Sequence, residues 1–227
     1  QAVEALCDAI LKTSRVNEDP IKAWKDHNAD LAKKTAYLNS LNLDYLHYTS
    51  SNGTDFKVWL LPNVDWLAGG ETTLGTKIYY NPNIPSEECF TSPAKGKAEG
   101  VVFSTKPLSY QGELIENFSI RFENGKAVEV LLKQMIAMDE TAGYLGEVAL
   151  VPFDSPINNT GILFFNTLYD ENAACHLALG MGFTNCVHDY EKYTLEELNK
   201  MGINDSQIHV DFMIGSKDLN IVGYTRE

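Results

Sequence analysis

In Ile208-His209-Val210-Asp211-Phe212-Met213-Ile214 an imidazole and a carboxylate alternate with apolar residues. Successive side chains of a strand point to opposite faces, so His209 and Asp211 share one face and Val210 and Phe212 the other. Such a pair suits a first-row metal ion, or a hydrogen-bonded couple on an ordinary polar face. In Asp170-Glu171-Asn172-Ala173-Ala174-Cys175-His176, a short helix over 171–179 puts Asn172 and His176 on one helical face. Asp170 would cap that helix and Glu171 would favour its positive end. A capped helix with a satisfied histidine fits the same residues equally well. Glu147 is the lone acid of Tyr144-Leu145-Gly146-Glu147-Val148-Ala149-Leu150-Val151. Buried, it needs a charge partner or a metal; on an edge strand facing water it needs neither. Glu87 and Glu88 follow the tight segment Asn83-Ile84-Pro85-Ser86, and adjacent carboxylates repel unless a cation relieves them or water solvates them. Glu88, Glu147, Asp211, His176 and His209 together make an oxygen-rich, mixed ligand set. That composition suits a dinuclear hydrolytic site, in which one carboxylate bridges two ions and an activated water attacks a carbonyl.

The elements that must position these groups are read from periodicity and punctuation. Val3, Leu6, Cys7, Ile10 and Leu11 recur at helical spacing, and Ile21, Trp24, Leu31 and Leu38 continue after the start signal Asp19-Pro20. From Leu43 the texture turns to short β-type runs between Gly, Pro and Asn, with strands expected over 43–48, 56–61, 77–80, 100–104 and 118–122. Asn124-Gly125 centres a hairpin turn. Helices are expected over 128–138 and from Thr194, where an acid three residues on completes a capping box. Strands are expected over 147–151, 162–165, 208–214 and 219–222. The reading is an α+β fold with a mixed sheet, flanking helices and no internal repeat.

The bulk numbers bound the function. The chain has 227 residues, 44% of them hydrophobic, enough for a core of one large domain. A net charge of −13 argues against nucleic-acid or anionic-membrane partners, which need basic surface, and favours cations. The four cysteines, Cys7, Cys89, Cys175 and Cys186, show no C-x-x-C spacing and read as reduced thiols of a cytoplasmic protein. No apolar run approaches the roughly 20 residues of a membrane span. Gln1 at the start and Thr225-Arg226-Glu227 at the end read as the edges of a fragment.

Residues 23–25, 46–48 with 53–55, 83–91, 104–108, 144–152, 170–180 and 209–216, in this order, carry a resemblance that runs almost end to end. They resemble the aminopeptidase T / aminopeptidase S family, also called the thermophilic metalloprotease family. The resemblance implies a metal-dependent exopeptidase that removes N-terminal residues from peptides with two divalent ions, cobalt, zinc or magnesium. On this pattern Glu147 is the bridging ligand, and Glu88, His176, His209 and Asp211 are the terminal ones. Glu87 is left as a general base or a support to the ligands, and Glu147 is a second candidate for the proton transfer. Asn172 and His47 are expected to orient ligands or substrate. The resemblance also implies a homodimer and a further N-terminal α/β domain, so that residues 1–227 are the metal-binding catalytic portion. One departure stands out: the family pattern has a tyrosine where this chain has Phe183, in Gly180-Met181-Gly182-Phe183, and Tyr190 is the nearest substitute. A catalytically impaired metal-binding module and a structural oligomerisation domain are the rival readings.

Overall fold

Helical spacing and the Asp19-Pro20 restart divide the first forty residues into two helices. The computed structural model, which describes residues 1–16, 18–129 and 135–226, forms them as α1 (Ala2–Thr13) and α2 (Pro20–Ser40). Asp19 caps α2 by accepting from the Lys22 amide at 3.0 Å, and Pro20 occupies the first turn, where no amide donor is needed. α1 leaves Val3, Leu6 and Leu11 exposed, whereas α2 buries Leu31 in the core.

Strands β1 (Leu43–Thr49) and β2 (Asp55–Leu60) follow, then a small hairpin of β3 (Glu71–Thr72) and β4 (Tyr79–Tyr80). Next come β5 (Cys89–Thr91) and the long β6 (Pro93–Phe103), a second small hairpin of β7 (Leu108–Tyr110) and β8 (Glu113–Ile115), and the pair β9 (Ser119–Glu123) and β10 (Lys126–Glu129). The remainder runs β11 (Leu145–Leu150), α3 (Thr167–Glu171), β12 (His176–Gly180), α4 (Leu195–Met201), β13 (His209–Met213) and β14 (Asn220–Thr225). The main sheet has the order β10-β9-β6-β2-β1-β14, and a four-stranded sheet has the order β13-β12-β11-β5. Every ladder of the described residues is antiparallel, and short hairpins join β1 to β2, β3 to β4, β7 to β8 and β9 to β10. Both sheets feed one core: Tyr48, Phe56 and Phe122 from the larger, Val148, Leu177 and Phe212 from the smaller. None of the helices of the described residues is long and apolar enough to cross a membrane.

The α+β class stands as read, and so do both opening helices, the Asn124-Gly125 turn and the capping box, where Thr194 and Glu197 satisfy one another's backbone amides. In the turn Asn124 and Gly125 take φ of 51° and 77°, a left-handed pair that Gly and Asn tolerate. Three expected elements differ. The helix over 171–179 is instead the end of α3 followed by strand β12. Residues 162–165 form no strand, and the run 77–80 shortens to Tyr79–Tyr80. The helix expected over 128–138 lies partly outside the described residues; at its edges β10 runs through Glu129 and a 3-10 turn spans Met135–Ala137.

Candidate metal centre

The four-stranded sheet is sided. Val148, Leu177, Leu179, Val210 and Phe212 turn one face into the core. The alternating positions turn the other face outward, and those positions hold the chemistry. Across the sheet Glu147 pairs with Ala178 and Ala178 with Asp211, so two carboxylates flank one small side chain in a single row. In the neighbouring rows Ala149 faces His176, and Gly180 faces His209. Small residues on the central strand therefore leave room above it for larger polar groups on either side. Glu88 enters from the segment just before β5, beyond β11. Gly146 is needed for close approach: a β-carbon there would lie 2.1 Å from the Met181 carbonyl oxygen.

The five expected ligands converge. His176 Nε2 lies 3.0 Å from Glu88 Oε2 and 4.0 Å from Glu147 Oε1. His209 Nε2 lies 3.1 Å from Glu147 Oε2 and 3.2 Å from Asp211 Oδ1. Each imidazole is turned by its other nitrogen: Nδ1 of His176 meets the Ala174 carbonyl at 3.0 Å, and Nδ1 of His209 meets the Met181 carbonyl at 2.7 Å. Two triads result, Glu88–Glu147–His176 and Glu147–His209–Asp211, and in each the three donor atoms lie within 4.8 Å of one another. Glu147 belongs to both.

Burial makes this cluster costly without a cation. Burial raises Glu147 to about 7 against the opposing hydrogen bond from His209, with Glu88 adding to the rise. Burial lowers His209, but hydrogen bonds to Asp211 and Glu147 outweigh it and raise the group to about 11. His176 is raised well above the usual imidazole value, with Glu88 and Glu147 overcoming its burial. Asp211, although buried, is held down to about 2 by His209. Three buried atoms, Glu88 Oε2, His176 Nε2 and Asp211 Oδ1, face one another or His209 without a well-aligned hydrogen bond. Orphaned donor atoms of this kind, aimed at one another from a nitrogen-and-oxygen set, fit divalent zinc, cobalt or a similar ion.

The cluster opens onto a cavity of about 470 Å³ whose wall includes Glu88, Glu147, His209 and Asp211. Phe183 lies on that wall, its ring 5.0 Å from both His209 and Phe90, centroid to centroid. Tyr190 is not on the wall. Glu171 is, and the sequence reading missed its place, treating it as a helix-start acid. Burial, and then the charge of Asp211, raise its carboxyl to about 10. The signal was present: no lysine or arginine lies within four residues of Glu171, so no helical ion pair explains it.

The other expected site residues fall elsewhere. Glu87 is buried but does not line the cavity; Arg15 holds its carboxylate at both oxygens, the second contact at 2.9 Å. That pairing removes it as a free base. Asn172 is also buried behind the wall, where its Oδ1 accepts from the Glu87 amide at 2.7 Å and its amide group donates to the Leu168 carbonyl at 2.9 Å. It fixes the segment carrying Glu88 and is in no position to meet substrate. His47 lies on β1 of the main sheet, 2.6 Å from Asp55 Oδ1 and off the cavity. Arg15 itself gave no signal, since nothing in the sequence connects it to a pair of acids over seventy residues away.

Comparison with known proteins gives the same direction. The thermophilic metalloprotease (M29) family matches residues 1–227. Aminopeptidase AmpS of Bacillus subtilis (strain 168) is 46% identical over 235 residues, covering 100% of this chain and 57% of that protein. Aminopeptidase 2 of Geobacillus stearothermophilus is 43% identical, covering 100% of this chain and 56% of that protein. Among solved structures, wild-type AmpT from Thermus thermophilus superposes with a TM-score of 0.83 at 43% identity, over 91% of this chain and 52% of that one. The chain thus spans about half the length of the curated relatives it matches.

Proposed function

Since the chain belongs to the thermophilic metalloprotease (M29) family, we propose that it is the metal-binding catalytic portion of an aminopeptidase acting on peptides. Glu88, Glu147 and His176 would hold one divalent ion, and Glu147, His209 and Asp211 a second. The observation that carries this is the pair of triads sharing one buried carboxylate. Cobalt, zinc or magnesium there would supply Lewis acidity toward a peptide carbonyl and a nucleophile from water at neutral pH. The chain's residues do the rest. Ala174 and Met181 carbonyls orient the imidazoles, as supporting hydrogen bonds do in metal sites generally. With Glu147 engaged by both triads and Glu87 held by Arg15, Glu171 is the cavity carboxyl left over; burial and Asp211 keep it protonated at neutral pH, and it is the group to give a proton to the leaving amine. A homodimer, as the family resemblance implies, and a cytoplasmic location, as the free thiols suggest, accompany the proposal.

A second reading, a metal-binding module with impaired turnover, is favoured by Phe183, which offers no hydroxyl where the family pattern has one. The two separate in one experiment. Divalent metal per chain is measured by elemental analysis after cobalt or zinc loading, alongside release of N-terminal residues by the full-length protein. About two equivalents with turnover, both lost in Glu147→Gln, support the enzyme; two equivalents without turnover support the impaired module. Full activity in Glu147→Gln would overturn the bridging assignment.

A further inference from the structure

Glu71 stands on the same cavity as the triads and belongs to neither. It opens β3, and two neutral donors hold its carboxylate: Asn185 Nδ2 at 3.1 Å from Oε1, and the Tyr80 hydroxyl at 3.2 Å from Oε2. Among the described residues no ion pair includes it and no lysine or arginine lines the cavity. A carboxylate accepts about four hydrogen bonds, so two remain for a ligand. The carboxylate is thus oriented and half-satisfied, on a wall where Glu88, Glu147 and Asp211 face the histidines of the cluster. The ligand that complements it is a compact monocation with several N–H donors.

We propose that Glu71 binds the α-ammonium group of the peptide's first residue, with Asn185 and Tyr80 fixing the carboxylate for it. This rests on the aminopeptidase reading above and deepens it. An internal peptide segment or a blocked N-terminus brings no positive charge to this point, so Glu71 selects for chain ends. Asn185 also lines the cavity and adds a polar neighbour at the same place.

The test uses the full-length, metal-loaded protein and a matched pair of competitive inhibitors, leucinamide and its des-amino analogue. Wild type is expected to bind leucinamide about 10-fold or more tighter, the worth of one charge-assisted hydrogen-bond site. Glu71→Gln, isosteric and uncharged, brings the pair within a few-fold, raises KM for peptides more than it lowers kcat, and leaves metal content and Tm unchanged. Asn185→Ala, which keeps the charge but frees the carboxylate, narrows the discrimination in part. Retained discrimination in Glu71→Gln overturns the assignment. So does loss of metal in that variant, because Glu71 would then belong to the metal site. Active wild type that does not distinguish the pair overturns the Glu71 assignment alone; loaded wild type that hydrolyses no peptide overturns the reading beneath it.

Discussion

Three side chains on the cavity wall make separable predictions. Glu171→Gln keeps the shape of the cavity wall but removes an ionisable proton donor, so kcat falls about 100-fold or more while metal content stays at the wild-type value. A loss of metal instead would make Glu171 a ligand. Phe183→Tyr adds a hydroxyl beside His209, and an increase in kcat at constant metal content is expected; no change would mean the site works without that group. His209 is the third. Its neighbours raise it to about 11 from 6.5, so an ion that needs the neutral imidazole must displace a proton at pH 7. Metal affinity therefore rises with pH, and calorimetry in buffers of different ionisation enthalpy reads the released protons. The sign reverses for folding in the presence of chelator. A group raised on folding stabilises fully below its unfolded value and loses that contribution as pH climbs toward about 11.

Among the elements, the link between α1 and α2 acts on the metal site through the segment before β5. Arg15 clamps Glu87, His27 Nε2 meets the Ser86 carbonyl at 2.6 Å, and Trp24 Nε1 donates to the Ser14 carbonyl at 2.8 Å. Glu88 is the next residue along, so Arg15→Ala is expected to weaken metal binding about 10- to 100-fold, with the helices still formed by circular dichroism. Gly146→Ala should act on the other side of the site. Its methyl group would strike the Met181 carbonyl that orients His209, lowering both Tm and metal affinity. Thr194→Ala, by contrast, removes only a cap from α4 and should lower stability by about 1 kcal/mol without touching the metal. Elements with local causes were legible in advance: the caps, the Asn-Gly turn and the alternation of β13 all follow from near neighbours in sequence. His176 was read as a ligand but on a helix, because Asp170 to Cys175 satisfies helix-start chemistry; α3 instead starts at Thr167 and ends at Glu171, so Asp170 lies inside it and caps no helix. What makes His176-Leu177-Ala178-Leu179-Gly180 a strand is its place between β11 and β13, partners about thirty residues away on either side. Arg15 and Glu171 were invisible as site residues for the same reason, since their partners are distant in the chain.

At the scale of the whole molecule, a chain of net charge −13 gathers buried carboxylates at one cavity, so divalent ions should stabilise the fold as well as act in it. An ion present at a hundred times its Kd contributes about 2.7 kcal/mol per site. Thermal melts with and without chelator should differ by several degrees, and Glu147→Gln should abolish the difference. Both sheets share one core, so melting followed at the tryptophans and at a bound cobalt chromophore should coincide; early loss of cobalt would mean that the strands of the site open before the rest. Because one carboxylate belongs to both triads, two ions held there would not load independently. The first would draw on charge that the second also needs, and the second would meet a like charge beside the shared carboxylate. Whatever factor the first occupant imposes on the second, the second must impose on the first. Titration should therefore resolve two stepwise affinities in place of one doubled site, and scarce metal would leave half-loaded molecules common, with the supply of ions setting the fraction of protein fully loaded.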